Sequence, residues 1–251
     1  MVARIAIIPA RGGSKRIPKK NIAPFAGKPM LAWTIAAARD SGLFDRIVVS
    51  TDSEEIADVG RAHGADVPFL RDTAADDHAP VSEAVLAALA QAEDHWGQRY
   101  DTVAQLMPNC PLRTAADIAH AVQVFDAEDR QFQISVFRFG WMNPWWAMKV
   151  DDDGRPATMF EGAVKQRSQD LGSLFCPTGA IWLARRDPLA AAGTFYGPDH
   201  RVCEMAWESA VDIDDYEDMN MARAVAAMRA GDTGANDMKT DVTKTGDDAP
   251  C

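Results

Sequence analysis

Arg11 to Asn21 reads RGGSKRIPKKN, five cations set among two glycines, a serine and a proline. Such a stretch suits a polyphosphate. Gly12 and Gly13 let the backbone approach a phosphate and turn N–H groups toward it, Ser14 adds a donor, and Arg11, Lys15 and Lys20 can neutralise charge. The stretch is neither a Walker A sequence (GxxxxGK[ST]) nor the dinucleotide GxGxxG, so phosphoryl-cleaving and hydride-transfer readings lose support. Far along the chain, Asp212 and Asp214 stand two apart in VDID. On a strand that spacing turns both carboxylates to one face. Mg²⁺ commonly takes one or two carboxylates together with waters and phosphate oxygens, although acids at a strand end also serve as caps or face solvent. Asp215 is then the cap of the final helix. Cys110 has no histidine near it in sequence, so no nucleophilic role is assigned to it.

An α/β framework has to position these groups. Arg4 to Pro9 (RIAIIP) has the continuous apolar character of a strand buried on both faces, and it feeds directly into the basic loop. Ligands of open parallel sheets bind beyond the carboxyl ends of the strands, which places the site at that loop. Pro29 opens a helix over Met30 to Arg39 that stops at Ser41-Gly42. A second buried strand follows at Ile47 to Val49. Asp52 and Glu55 have capping-box spacing at the start of a helix reaching about His63. Val81 to Trp96 reads as a helix and Thr102 to Met107 as a strand, and Thr114 with Asp117 caps a helix to about Phe125. The pattern loosens between Phe139 and Thr178, a stretch carrying Trp141, Trp145 and Trp146, which reads as an insertion. The sheet resumes at Gly179 to Ala184 and Ala210 to Ile213, before a last helix from about Tyr216 to Arg229. The alternation implies a doubly wound, mainly parallel sheet in one domain over 1–230. Residues 231–251 hold five aspartates, two lysines and no aromatic residue, and are expected to be a disordered tail.

Charge and composition narrow the partners. With 47% hydrophobic residues in 251, the chain can bury a full core. A net charge of −11 argues against nucleic acid. Eight of the 26 cations and none of the 37 acids precede Asp40, which leaves one anion site in an otherwise acidic chain. Cys110, Cys176, Cys203 and Cys251 are scattered without zinc or redox spacing and are expected to be reduced. No stretch approaches the length of a membrane span, and a cytoplasmic location is expected.

The whole segment IIPARGGSKRIPKKNI closely resembles the signature of the acylneuraminate cytidylyltransferases, also called CMP-sialic acid synthetases. The resemblance continues, in order, through FAGKPMLAWTIAAARDSGLFDRIVVSTDSEEIA, GADVPFLR, PNCPLRTAADI, RSQDL, CPTGAIW and VDIDDYEDMNMA. The related CMP-Kdo synthetases carry an RYAST-like loop where this chain has RGGSK, which sets it on the sialic side. The resemblance implies a Rossmann-like nucleotidyltransferase that transfers CMP from CTP to the anomeric hydroxyl of a nonulosonic acid and releases pyrophosphate. It implies nucleotide contacts from Ala10 and Arg11 through Ser14 and Lys15, and from Lys20, Asn21, Arg71 and Ser82, with Glu83 competing for the last place. Lys20, Arg11 and Asp214 become the catalytic candidates, and Asp212 with Asp214 the Mg²⁺ site. A homodimer formed through the inserted subdomain is also implied.

At the sugar end, Arg167 in the RSQDL block is the candidate for the acceptor carboxylate. Sialic members commonly read LLQPTSPLR where this chain has Gln105-Leu106-Met107-Pro108-Asn109-Cys110-Pro111-Leu112-Arg113. The family's glutamine is Met107 here, its threonine is Asn109 and its serine is Cys110. Gln105, two positions earlier and on the same strand face, and Asn109 are therefore the remaining sugar-binding candidates. These departures point toward a legionaminate- or pseudaminate-type acceptor. Two other readings stay open: a nucleotidyltransferase of different base or sugar preference, such as a GTP user, and a non-catalytic nucleotide-binding regulator.

Overall fold

Strand β1 (Arg4–Pro9) has every residue from Ile5 onward buried, as its unbroken apolar run requires. The computed structural model describes residues 2–71 and 81–242, with side chains described through 231. After the basic loop a short hairpin, β2 (Pro24–Phe25) and β3 (Lys28–Pro29), turns at Ala26-Gly27, both at positive φ. Helix α1 (Met30–Ser41) follows and is ended by Gly42 in the left-handed conformation. Then come β4 (Arg46–Ser50), α2 (Glu54–Ala62), α3 (Val81–Trp96) and β5 (Thr102–Gln105). Helix α4 (Ala115–Ala127) begins with the expected capping box between Thr114 and Asp117. The remainder is β6 (Phe132–Arg138), β7 (Met148–Val150), β8 (Pro156–Thr158), β9 (Phe175–Arg185), α5 (Arg186–Ala192), β10 (Arg201–Glu204) and α6 (Tyr216–Val242).

The central sheet runs β10-β6-β9-β5-β1-β4. All neighbours are parallel except β9, which is antiparallel to both β5 and β6. Alternation along β1 sends Ala6 and Ile8 into the layer shared with α1, α2 and α4, and Ile5 and Ile7 into the layer shared with α3. A third apolar cluster matters most for the site. Ile17 of the basic loop packs with Val211 and Ile213 and with Met219, Ala222 and Val225 of α6. That cluster brings the VDID segment against the basic loop, although the two lie about 200 residues apart in the chain.

Several elements differ from the sequence reading. Ala210 to Ile213 is not a strand: its buried apolar residues cross the end of the sheet as irregular chain, with no ladder partner. β5 ends at Gln105, two residues early, because the chain turns toward Pro108. β6, α5 and β10 are additional. The excursion between β6 and β9 spans 139–174, and Phe139 N–H still reaches the carbonyl of Leu174 at 3.0 Å. Within it β7 and β8 form an antiparallel hairpin. The backbone of α6 continues past Arg229, where no proline interrupts it, and residues 243–251 of the expected tail lie outside the described residues.

Candidate functional site

The basic loop is braced from three sides. Ala10 continues the β1 ladder by donating its N–H to Ser50 O at 2.9 Å. Buried Asn21 reaches back from the end of the loop, and its Nδ2 donates to Arg11 O at 2.9 Å. Gly12 N–H donates to Asp52 Oδ1 at 2.7 Å. Asp52 is therefore not the cap of α2, whose N-cap position is Ser53 and lacks a side-chain hydrogen bond. A long-range partner has taken its carboxylate. A Cβ on Gly12 would lie 3.3 Å from Ser53 Cβ and 3.6 Å from that carboxylate, so the absence of a side chain is what lets the loop sit so close.

Arg71 follows on the same side. It is 6% exposed and donates its backbone N–H to Thr51 O at 2.8 Å. Burial lowers its pKa, Asp52 opposes that shift, and nearby Arg11 reinforces it. Arg71, Arg11 and Asp52 thus share one electrostatic neighbourhood beside the glycines. Ser82 is buried in the first turn of α3, whereas Glu83 is exposed, so Ser82 is the one turned into the protein. Residues 72–80, between Arg71 and α3, lie outside the described residues.

The acidic pair meets this loop at Lys20. Lys20 Nζ donates to Ile213 O and to Asp214 Oδ1, both at 2.8 Å. Arg16 Nη2, which the sequence reading left without a role, pairs with Asp214 Oδ2 at 2.7 Å. Burial would raise the Asp214 pKa, but hydrogen bonds and charge from Lys20 and Arg16 outweigh it and hold the carboxyl below its ordinary value. Asp212 is the opposite case. Burial first, and repulsion from Asp214 second, raise its pKa to about 6 despite Lys20 and a hydrogen bond from Asn109. Asp215 caps α6 as expected, accepting from the N–H groups of Glu217 at 2.9 Å and Asp218 at 3.1 Å. Asp218 returns the favour by accepting from the N–H groups of Asp214 and Asp215.

The donor set suits Mg²⁺. Among the described residues no group of three or more His, Cys, Asp and Glu side chains forms a complete cage. Two adjacent carboxylates are what an ion that keeps waters and phosphate oxygens requires. Asp212 has its pKa raised by desolvation first and by Asp214 second, and a cation bound there would oppose that shift.

A basic, glycine-containing loop, a lysine bridging it to one of the VDID carboxylates, and a mainly parallel sheet whose first strand runs into that loop agree with relationships across the chain. Residues 5–152 match the family profile described as Cytidylyltransferase. The pseudaminic acid cytidylyltransferase of Campylobacter jejuni subsp. jejuni serotype O:23/36 (strain 81-176) is 34% identical over 220 residues, covering 87% of this chain and 94% of that protein. The chain belongs to the cytidylyltransferase family. The N-acylneuraminate cytidylyltransferase of Escherichia coli O18:K1:H7 (strain RS218 / NMEC) is 32% identical over 219 residues, 87% of this chain and 51% of that protein. In fold, the chain is similar to a CMP:2-keto-3-deoxy-manno-octonic acid synthetase complexed with CTP, with a TM-score of 0.67 and 17% identity over 90% of this chain and 99% of that one.

In this cytidylyltransferase the three residues that the sequence places at the sugar are not brought together. Gln105 is fully buried in β5, and neither atom of its amide has a partner among the described residues. Asn109 is 4% exposed, and its amide is spent on Asp212 Oδ1 and Ile213 O. Arg167, out in the 139–174 excursion, is largely exposed and pairs with Asp170 at 2.8 Å. Met107 packs against Gly179 so closely that a Cβ there would lie 2.6 Å from Met107 Cγ. Cys110 is fully buried, and burial pushes its thiol far up, which agrees with a packing role. Arg113 was not singled out from the sequence. It is buried, burial lowers its pKa to about 10, and its Nη1 donates to Ala180 O and, at 3.4 Å, to Met107 O. A cavity of about 230 Å³ on the α4 side, lined by His120, Ser135, Ile181 and Cys203 among others, contains none of the candidate residues.

Proposed function

We propose that the chain transfers CMP from CTP to the anomeric hydroxyl of a nonulosonic acid. The anomeric oxygen bonds to the α-phosphorus, the bond from that phosphorus to the bridging oxygen breaks in line, and pyrophosphate leaves while the hydroxyl proton passes to solvent. The observation that carries this reading is the 2.8 Å contact of Lys20 with Asp214, which joins the loop suited to phosphates to the pair suited to a cation. In-line transfer is catalysed mainly by positioning and by neutralising developing charge. Arg11, Lys15 and Lys20 supply that charge, Gly12 and Gly13 supply close backbone approach, and Arg71 and Ser82 are assigned the remaining nucleotide contacts. Asp212 and Asp214 would hold Mg²⁺, which supplies further charge neutralisation at the phosphates. Arg167, exposed and paired with Asp170, is the candidate for the acceptor carboxylate. The names of the relatives, which span pseudaminic and N-acylneuraminic acids, support a sialic-type acceptor. We read the working form as a cytoplasmic homodimer joined through the excursion; among the described residues no helix is long and apolar enough to cross a membrane.

Incubation with CTP, Mg²⁺ and a panel of nonulosonic acids should release pyrophosphate with at least one of them, and GTP should not replace CTP. Silence with every acceptor, from folded protein, would overturn the reading. Asp214→Asn should abolish turnover while circular dichroism stays unchanged; near-normal turnover would remove the metal assignment.

A further inference from the structure

Asn109 makes two side-chain contacts, and both go to acceptors. Its Nδ2 donates to Asp212 Oδ1 and, at 3.2 Å, to the carbonyl of Ile213. Because a carboxylate and a carbonyl can only accept, the NH₂ end of the amide must face them. The backbone answers in the other direction, with Ile213 N–H donating to Asn109 O at 2.9 Å. The loop after β5 and the VDID segment are therefore tied at three points within one residue of Asp212. On the other side of that carboxylate, a Cβ built on Gly179 would stand 4.0 Å from Asp212 Oδ2 and collide with Met107. Asn109 thus engages Oδ1 of Asp212, a residue that stays solvent-exposed beside side-chain-free Gly179, which leaves Oδ2 the less engaged oxygen.

We propose that Asn109 is a positioning residue that fixes the Asp212 carboxylate so that Oδ2 is the oxygen offered to the divalent cation, and that it has no direct role at the sugar. The inference rests on the metal reading given above. It also changes what the departure from the family's threonine means. A threonine hydroxyl has one proton and cannot donate to Asp212 and to the Ile213 carbonyl together, whereas the asparagine amide has two. The exchange acts at the cation end of the site, and acceptor choice then has to come from other residues.

The test is Mg²⁺ binding by calorimetry to protein saturated with CTP, without acceptor, for wild type, Asn109→Ala and Asn109→Thr. Groups that orient a metal ligand typically carry about 10- to 100-fold in metal affinity. Asn109→Ala should weaken Mg²⁺ binding by about 10-fold or more, and Asn109→Thr by less, since it keeps one donor. CTP affinity in EDTA, and the acceptor KM at saturating Mg²⁺, should stay near the wild-type values for both. An unchanged Mg²⁺ affinity with a raised acceptor KM would overturn the proposal and return Asn109 to the sugar. A parallel loss of metal-free CTP affinity would overturn it in favour of a general structural role. If the alanine variant fails to fold, the threonine variant decides on the same readouts. Failure of wild type itself to bind Mg²⁺ with CTP present would remove the underlying metal reading instead.

Discussion

At the residue scale, the two aspartates of VDID differ more than their spacing suggests. Asp214 is neutralised by Lys20 at 2.8 Å and Arg16 at 2.7 Å, so its charge is stabilised before any ligand arrives. Asp212 keeps an exposed side, has no cationic hydrogen-bond partner among the described residues, and carries a pKa raised to about 6 by partial desolvation and by repulsion from Asp214. In the unfolded chain the same carboxyl titrates near 3.8. A group whose folded pKa is raised contributes stability that is fully present below the unfolded value and is lost as pH rises through the folded one. The metal-free protein should therefore lose some stability from this residue as pH rises from 4 to 7, an effect reduced by solvent screening at its exposed side. Asp212→Asn removes the ionisation and keeps an acceptor for Asn109. In EDTA at pH 8 the variant should melt above wild type, and the difference should close at pH 4. Thermal denaturation at the two pH values checks this, and a gap that does not change with pH would show that the Asp212 charge is not what the fold bears.

Elements made by local rules are the ones most readable from sequence. β1 coincides with its apolar run, α1 stops at its glycine, and the Thr114/Asp117 box starts α4 where its spacing says it should. What sequence alone misses is decided by partners far away in the chain. β6 hides behind Gln133 and Ser135, two buried polar residues that look wrong for a core strand. Gln133 Nε2 donates to Ala121 O at 2.9 Å, and Ser135 Oγ to Thr178 O at 2.9 Å, so both are satisfied by distant carbonyls. Ala210 to Ile213 errs the other way: it looks like a strand, yet its carbonyls accept from Thr178 Oγ1, Lys20 and Asn109 rather than from a ladder. The site follows the same division. The loop's composition is legible, whereas its tethers, Asp52 to Gly12 and Asn21 to Arg11, are not. Asn21 offers the cleaner experiment, because its amide holds the Arg11 backbone without competing for phosphate. Losing one such hydrogen bond is worth about 1 kcal/mol. Asn21→Ala should raise the KM for CTP about five-fold and leave kcat within about two-fold. Steady-state kinetics separate this from a catalytic role, which an equal fall in kcat and kcat/KM would indicate.

At the scale of the whole molecule, the excursion over 139–174 presents apolar surface that a lone chain leaves in water. Trp141 is 85% exposed, and Met142, Met148, Val150, Met159 and Phe160 are exposed with it. Ala163 is the one buried residue between 139 and 174, so the excursion has little core of its own. Trp145 donates its Nε1–H to Gly172 O at 2.7 Å and stacks edge-on against Phe160, and Trp146 Nε1 donates to Ala163 O at 3.2 Å. These few internal contacts leave the apolar residues in water, and exposed apolar clusters of this kind mark interfaces. Given the role proposed for Arg167, which the same excursion carries, any such interface would be tied to acceptor recognition. The double variant Trp141→Glu, Met148→Glu sets charge into that surface without touching Trp145 or Trp146. Light scattering should show wild type at twice the monomer mass and the variant at the monomer mass. If the dimer orders Arg167, the monomeric variant should bind CTP normally and show a raised KM for the acceptor. A variant that stays dimeric would place the interface elsewhere, and a monomer with wild-type acceptor KM would separate the interface from sugar recognition.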